Sequence, residues 1–294
     1  MYDVVFCEVF SEEESILREL LPNSINAYFT KKTFQEENVE GKLLCIRTQS
    51  KVPEYSNVIS RSTGINHLDN HKGIKTNIPN YSTTAVAEHA IMLMMCLLKN
   101  LKKQLNNVKS FDRDNLTGRE CLNKTVLIAG VGKIGYEISK ICKAFGMNVI
   151  GVDIFKNYGD INYMDINEGI PKSDVIICSM NLNNNEGYFN YNLLKNSKKR
   201  AVFVNISRGE ISPMSDILKL LDENHLGGVA LDVFSDESNL YVSGGNDNVF
   251  QDLLKRDNVL FTPHNAFNSE EALRRKCEYT VKYVVGFLEN EKFI

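Results

Sequence analysis

Thr125-Val126-Leu127-Ile128-Ala129-Gly130-Val131-Gly132-Lys133-Ile134-Gly135 is the stretch on which the fold turns. Its first five residues are a short aliphatic run of the kind that forms a strand buried on both faces. The three glycines follow as GxGxxG, and Ile134, Ile138, Ile141 and Phe145 then recur at the spacing of one helix face. A second strand, Asn148–Val152, ends at Asp153, 18 residues past the third glycine. Strand, glycine loop, helix and strand with an acid in that window predict a dinucleotide-binding unit. Each glycine has its own reason. Gly130 permits the tight turn, Gly132 lets the backbone approach a pyrophosphate, and Gly135 lets the helix pack on the strand, with the helix N-terminus facing the anion. An acid at position 153 accepts from ribose hydroxyls and repels a 2′-phosphate, so NAD is expected rather than NADP.

Toward the C-terminus the same rhythm continues, with expected strands at Asp174–Cys178, Ala201–Asn205, Gly228–Leu231 and Val259–Phe261. This predicts a doubly wound parallel sheet, which binds ligands beyond the carboxyl ends of its strands. Three chemically active residues stand just there: Arg208 after one strand, Glu237 after the next, and His264 after the last. A planar guanidinium can hold a carboxylate by two hydrogen bonds. An imidazole can move a proton near neutral pH, and a carboxylate beside it fixes its orientation. Taken singly, Arg208 could cap a helix, Glu237 could lie in a solvated acidic turn, and His264 could be an ordinary loop residue. Together they form the set needed for hydride transfer between a nicotinamide and a 2-hydroxy or 2-oxo acid.

Upstream, Val4–Val9, Leu43–Ile46 and Asn57–Ile59 read as strands and Glu12–Leu21 as a helix. A long helix then carries Val86, Ala90, Leu93, Leu97, Leu101 and Leu105 on one face, and Asp112–Asn123 reads as a linker loop. The domain crossing is placed near residue 100. The amphipathic stretch Glu270–Glu289 is expected to return to the first domain, which lacks a closing helix. The expected organisation is α/β throughout: residues 1–99 with 268–294 as a discontinuous, flavodoxin-like substrate domain, and residues 100–267 as a Rossmann NAD-binding domain. His89 lies in a strongly amphipathic helix and reads as structural.

Composition narrows the alternatives. The 294 residues are 43% hydrophobic with a net charge of −3, which excludes predominant disorder and leaves no electrostatic footprint for nucleic acid or an anionic membrane. The seven cysteines are odd in number and show no metal-type spacing, so no metal is expected and a reducing compartment is. The N-terminus has no basic segment followed by an apolar one, and the apolar run Ala90–Leu98 is too short to span a bilayer. A cytoplasmic protein is the expectation.

The chain resembles the D-isomer-specific 2-hydroxyacid dehydrogenases. The similarity is carried by Thr117-Gly118-Arg119-Glu120, the Gly130–Gly135 loop with Asp153, Asn205-Ile206-Ser207-Arg208-Gly209-Glu210, Gly228 to Phe234, and Thr262-Pro263-His264-Asn265-Ala266-Phe267. In the first domain it is carried by Ser62 to Asp69, Asn77 to Ser82 and Ala85 to Ala90. The D-lactate dehydrogenase branch is similar in Tyr81-Ser82, in Ser269 to Ala272, and in the insert Ser238–Lys255 with Asn239-Leu240-Tyr241. Met180-Asn181 departs from the family's commoner apolar-Pro pair.

The resemblance implies that Arg208 binds the substrate carboxylate, Glu237 pairs with His264, and His264 donates the proton in reduction. It implies that Lys133 and Ile134 meet the cofactor phosphates through their backbone, and that Met180, Asn181 and Asn185 border the adenine-side ribose and pyrophosphate. Ile206, Ser207 and Arg208 would run under the nicotinamide, with Asp232 on its carboxamide. Arg47, Thr48, Gln49, Ser50 and Tyr81 would face a small-molecule substrate, most simply pyruvate or D-lactate, in a homodimer. Two other readings stay open. One is the same chemistry on a branched or phosphorylated 2-hydroxy acid, for which Arg47, Lys51 and Arg61 offer cations. The other is a non-catalytic NAD-sensing protein on the same fold, as in the C-terminal-binding-protein corepressors.

Overall fold

The structure, a computed structural model, describes residues 1–235, 237 and 247–293. The Asn239-Leu240-Tyr241 motif lies outside the described residues. The chain forms two compact units, Met1–Ser82 with Asn268–Ile294 and Thr83–Phe267.

The first unit holds five parallel strands: β1 (Tyr2–Phe6), β2 (Ala27–Phe29), β3 (Gly41–Ile46), β4 (Val58–Ser60) and β5 (Lys75–Asn77), in the order β2-β1-β3-β4-β5. This 2-1-3-4-5 arrangement is that of a flavodoxin-like sheet. The helix Glu270–Asn290, opened by Ser269 Oγ accepting from the Ala272 amide, packs on the helix Ser11–Leu20.

The second unit holds seven: β6 (Thr125–Ala129), β7 (Asn148–Val152), β8 (Asn162–Tyr163), β9 (Val175–Cys178), β10 (Ala201–Asn205), β11 (Leu226–Leu231) and β12 (Val259–Phe261). Their order is β12-β11-β10-β9-β6-β7-β8, all parallel, with the Rossmann reversal between β6 and β9. Alternate residues point to opposite faces. Val126, Ile128, Val175, Ile177, Val202 and Val204 enter one core, and Leu127, Ala129, Ile176, Cys178 and Phe203 the other. Helices cover both faces, which is why these strands read as unbroken apolar runs.

One boundary moves. The apolar spacing continues a single helix through Leu105, which puts the crossing near residue 100. The structure ends that helix at Leu98, where Asn100 adopts a left-handed conformation (φ +53°). A second helix, Leu101–Asn107, departs at 56°. Ala87, Ala90, Met94, Leu97 and Leu98 are buried in the same core as β6, β9 and β10. The whole Thr83–Leu98 helix therefore belongs to the second unit, and the first crossing falls at Ser82/Thr83.

The first unit is fastened by charges no motif announces. Glu13 on the Ser11–Leu20 helix, Arg61 just past β4, and Lys276 on the Glu270–Asn290 helix meet with their side chains wholly buried. Arg61 Nη1 lies 2.5 Å and Lys276 Nζ 2.7 Å from the same Glu13 oxygen. Burial alone pushes the Glu13 carboxyl up, but the two cations outweigh it and bring it to about 2. Burial drives Lys276 down to about 8, against the pull of Glu13 and aided by Arg61 and Arg47.

A carboxyl held below its ordinary value of 4.5 stabilises the fold fully above that pH, because only the unfolded chain takes up the proton as acid is added. The stabilisation is lost as the pH falls toward about 2. Glu13→Gln leaves two buried cations facing a neutral amide, and urea unfolding at pH 7 should show a loss of ~3–5 kcal/mol. The variant's stability should also fall less steeply between pH 4.5 and 2 than the wild type's. Equal stability at pH 7 would remove this cluster from the account of the fold.

Candidate active site

Parallel pairing aligns the carboxyl ends of six strands. Val152, Ala129, Cys178, Asn205, Leu231 and Phe261 are successive partners across the second unit's sheet. Every candidate residue of this unit stands within seven positions beyond that row, so one sheet edge gathers them all.

The glycine loop leaves β6 at the order reversal. Gly130 has φ +88°, and a Cβ there would meet the Met180 backbone at 2.5 Å. A Cβ on Gly135 would lie 2.0 Å from the Gly130 carbonyl oxygen, whereas one on Gly132 would meet nothing within 4 Å. Thus two glycines are demanded by the chain itself. The third keeps open the space over the first turn of the Lys133–Ala144 helix, where Gly132 caps without a side-chain hydrogen bond. Asp153 grips this loop, Oδ2 accepting from the Val131 amide at 2.6 Å and Oδ1 from Phe155 at 2.9 Å. Lys133 is exposed and Ile134 half-buried at the helix start. An open, amide-lined turn with a carboxylate at the next strand end fits a dinucleotide's pyrophosphate and ribose.

Beyond β9, the exposed Asn181 accepts from Asn185 Nδ2 at 2.8 Å. The Ser207 hydroxyl donates to the Met180 carbonyl, which ties the turns after β9 and β10 together. Ile206 is buried, its amide on Cys178 O at 3.3 Å.

Arg208 follows, half-buried, with Nη1 donating to Ser207 O at 2.8 Å. Gly209 then decides the geometry. A Cβ there would lie 1.8 Å from the Phe234 carbonyl carbon, so only glycine lets the segment carrying Glu237 press against the Arg208 turn. Glu237 Oε1 accepts from the Phe234 amide at 3.3 Å, and Oε2 lies 2.8 Å from His264 Nδ1. A carboxylate only accepts, so Nδ1 carries the proton and Nε2 is the nitrogen left to face a substrate. His264 is held at φ +49°, in the left-handed region that non-glycine residues rarely occupy.

Asp232 has partners that the sequence did not announce. It is fully buried, and Oδ1 accepts from Thr262 Oγ1 at 2.5 Å and the Asn265 amide at 2.9 Å, while Oδ2 accepts from the Ala266 amide at 3.0 Å. His89 Nε2 lies 3.5 Å from Oδ1. Burial raises this carboxyl, but nearby His89 and the hydrogen bonds from Thr262, Asn265 and Ala266 hold it below its ordinary value. The carboxylate expected on a nicotinamide carboxamide is here the anchor of the loop that carries His264.

In the first unit, Glu8 organises the residues expected to face substrate. Its carboxylate accepts the amides of Arg47 and Gln49 at 3.0 Å and of Ser50 at 3.1 Å, together with the Ser50 hydroxyl. Thr48 and Gln49 are exposed on this turn, and the Arg47 guanidinium stacks 4.1 Å from the Phe10 ring centre. Tyr81 is buried, which pushes its phenol up to about 12. Glu8 carries no sequence signal for this role, because the amides it accepts from follow β3 whereas Glu8 follows β1.

Known proteins resemble this chain in sequence and in fold. The profile of the D-isomer specific 2-hydroxyacid dehydrogenase NAD-binding domain matches residues 91–266. D-lactate dehydrogenase kk1H of Curvularia clavata is 32% identical over 244 residues, covering 76% of this chain and 69% of its own. A D-specific alpha-keto acid dehydrogenase of Enterococcus faecium is 30% identical over 242 residues, covering 78% and 75%. The structure of the Aquifex aeolicus D-lactate dehydrogenase, complexed with NAD and lactic acid, superposes with a TM-score of 0.86 at 26% identity, over 98% of this chain and 96% of that one. The chain belongs to the D-isomer-specific 2-hydroxyacid dehydrogenases. It is an NAD-dependent oxidoreductase acting on a small 2-hydroxy or 2-oxo acid.

The loop glycines should separate in experiment. Gly135→Ala should lower the melting temperature, since overpacking against backbone costs ~1–3 kcal/mol. Gly132→Ala should fold within ~1 kcal/mol of wild type yet bind NADH at least ~10-fold more weakly by fluorescence titration. Unweakened binding by Gly132→Ala would mean that the dinucleotide does not lie over this turn.

Proposed function

We propose that the protein reduces pyruvate to D-lactate with NADH, with Arg208, Glu237 and His264 as its catalytic set. The observation that carries the reading is the 2.8 Å pair of His264 Nδ1 with Glu237 Oε2, which leaves Nε2 as the proton-bearing atom on the substrate side. NADH, when bound, supplies the hydride that reduces the carbonyl carbon. Arg208 holds the 2-oxo acid's carboxylate through its planar fork and keeps the adjacent carbonyl in place. His264, oriented by Glu237, gives its Nε2 proton to the carbonyl oxygen as the alcohol forms. Gly130, Gly132, Lys133, Ile134 and Gly135 hold the pyrophosphate, and Asp153 the adenosine ribose. Met180, Asn181, Asn185, Ile206 and Ser207 line the rest of the dinucleotide's path.

A phosphorylated substrate loses one of its three proposed cations. Arg61 is wholly buried on Glu13 and does not reach a ligand. All seven cysteines are free thiols, and no single helix among the described residues is long and apolar enough to cross a membrane. The Thr83–Leu98 and Leu101–Asn107 pair reaches that length only across its bend, and the first of the two is core. We propose a cytoplasmic location, which the seven free thiols support, since a reducing compartment keeps thiols unpaired.

The second unit also exposes a row of apolar side chains, Leu101 (40%), Leu105 (63%), Val108 (64%) and Phe111 (82%), at helical spacing. Such a row is the kind of surface a second copy covers, and we propose a homodimer that uses it. Light scattering should give twice the chain mass for the wild type and a monomer for Leu105→Glu/Phe111→Glu. A monomeric wild type would overturn this.

NADH oxidation by the purified protein should be fastest with pyruvate among pyruvate, branched 2-oxo acids, phenylpyruvate and 3-phosphohydroxypyruvate. His264→Ala should cut kcat by at least ~10²-fold, the loss expected of a general acid. Preference for another member would reassign the substrate, and a near-wild-type rate for His264→Ala would reject the proton donor.

A further inference from the structure

His264 is held in a left-handed backbone conformation that a residue with a side chain rarely adopts, so its surroundings must over-determine it. The restraints all come from one residue and its neighbours. Asp232 O accepts the His264 amide at 2.7 Å, and the Asp232 carboxylate accepts the next two amides, Asn265 and Ala266, at 2.9 and 3.0 Å. Thr262, two residues before His264, donates its amide to Leu231 O at 3.1 Å and lies with its hydroxyl 2.5 Å from Asp232 Oδ1. A carboxylate cannot donate, so the Thr262 hydroxyl proton points to Asp232. The Thr262 oxygen is then left as an acceptor, and His89 Nε2 stands 3.0 Å from it. The tautomer follows: His89 carries a proton on Nε2 and donates to Thr262, which donates to Asp232. The 3.5 Å separation of His89 from Asp232 Oδ1 adds attraction, but Thr262 is the direct acceptor.

His89 is therefore more than part of an apolar helix face. Its helix, Thr83–Leu98, packs on β10, β11 and β12, a rigid frame independent of the loop. The side chain is 16% exposed, so neither solvent nor a mobile partner sets its position. We propose that His89 is a positioning residue for the reaction. Through Thr262 and Asp232 it fixes the orientation of the loop Thr262–Ala266 and thereby the direction of the His264 imidazole. It touches neither Glu237 nor the reacting atoms. This rests on the reading of His264 as proton donor.

The test is a double-mutant cycle followed by kcat, KM and thermal melting with pyruvate and NADH. His89→Leu removes the donor and should lower kcat by about 10-fold, the order of loss for sub-ångström misplacement, with KM for pyruvate and NADH within about twofold. His89→Gln, whose amide nitrogen can reach the Nε2 position, should recover most of kcat. Thr262→Val should lower kcat similarly, and the double variant His89→Leu/Thr262→Val should be no slower than the slower single one, because the two act through one chain. A wild-type kcat in His89→Leu, equal losses in His89→Leu and His89→Gln, or multiplicative losses in the double variant would overturn the proposal. His264→Ala, run alongside, separates the two failures. If it retains activity, the proton-donor reading falls. If it is inactive while His89→Leu is not, only the positioning role falls.

Discussion

The continuous parallel register of the second sheet is the constraint on which the site depends. Because Val152, Ala129, Cys178, Asn205, Leu231 and Phe261 are paired in one row, chain segments far apart in sequence emerge side by side. The pairing is enforced by burial on both faces: a one-residue slip would exchange the two cores, Val126 and Ile128 for Leu127 and Ala129. Strand packing thereby sets where each functional turn begins, and local chemistry within the turns sets only where each side chain ends.

That local chemistry works by close approach. Gly130 against Met180 and Gly209 against Phe234 are places where backbone presses on backbone, and each draws together turns that follow different strands. Asp232 does comparable work with a charge. Burial would discourage ionisation, yet three hydrogen-bond donors and nearby His89 favour the ionised carboxylate and convert it into a fastening for the final loop. The same device recurs in the first unit, where Glu8 collects three consecutive-region amides and shapes the Arg47–Ser50 turn.

Much of this was legible beforehand, and the reasons differ from place to place. The strands β6, β9 and β10 announced themselves because both faces are buried and, apart from the terminal Thr125 and Asn205, every residue is apolar. The short edge strands β2, β5 and β8 did not, since half-buried stretches such as Lys75–Asn77 or Asn162–Tyr163 carry no such run. The break at Asn100 was hidden because Leu101 and Leu105 continue the helical spacing although both lie exposed, outside the core the pattern suggested. The pairing of Glu237 with His264 was legible as chemistry. The partners of Asp232 were not, because two of its donors are backbone amides, which leave no trace in residue type. Glu13, Arg61 and Lys276 each looked like ordinary charges, and only the fold shows that they share one buried point.

The buried Glu13–Arg61–Lys276 contact also orders the birth of the molecule. The unit that opens the chain draws on a helix made after the entire second unit, so at the ribosome its acid and guanidinium wait for their ammonium partner while Thr83–Phe267 is synthesised. The second unit is contiguous and can complete its sheet as it emerges. Folding therefore runs in an inverted order, with the first segment translated the last to close, and the inner face of the Ser11–Leu20 helix is the nascent chain's vulnerable surface until the Glu270–Asn290 helix arrives.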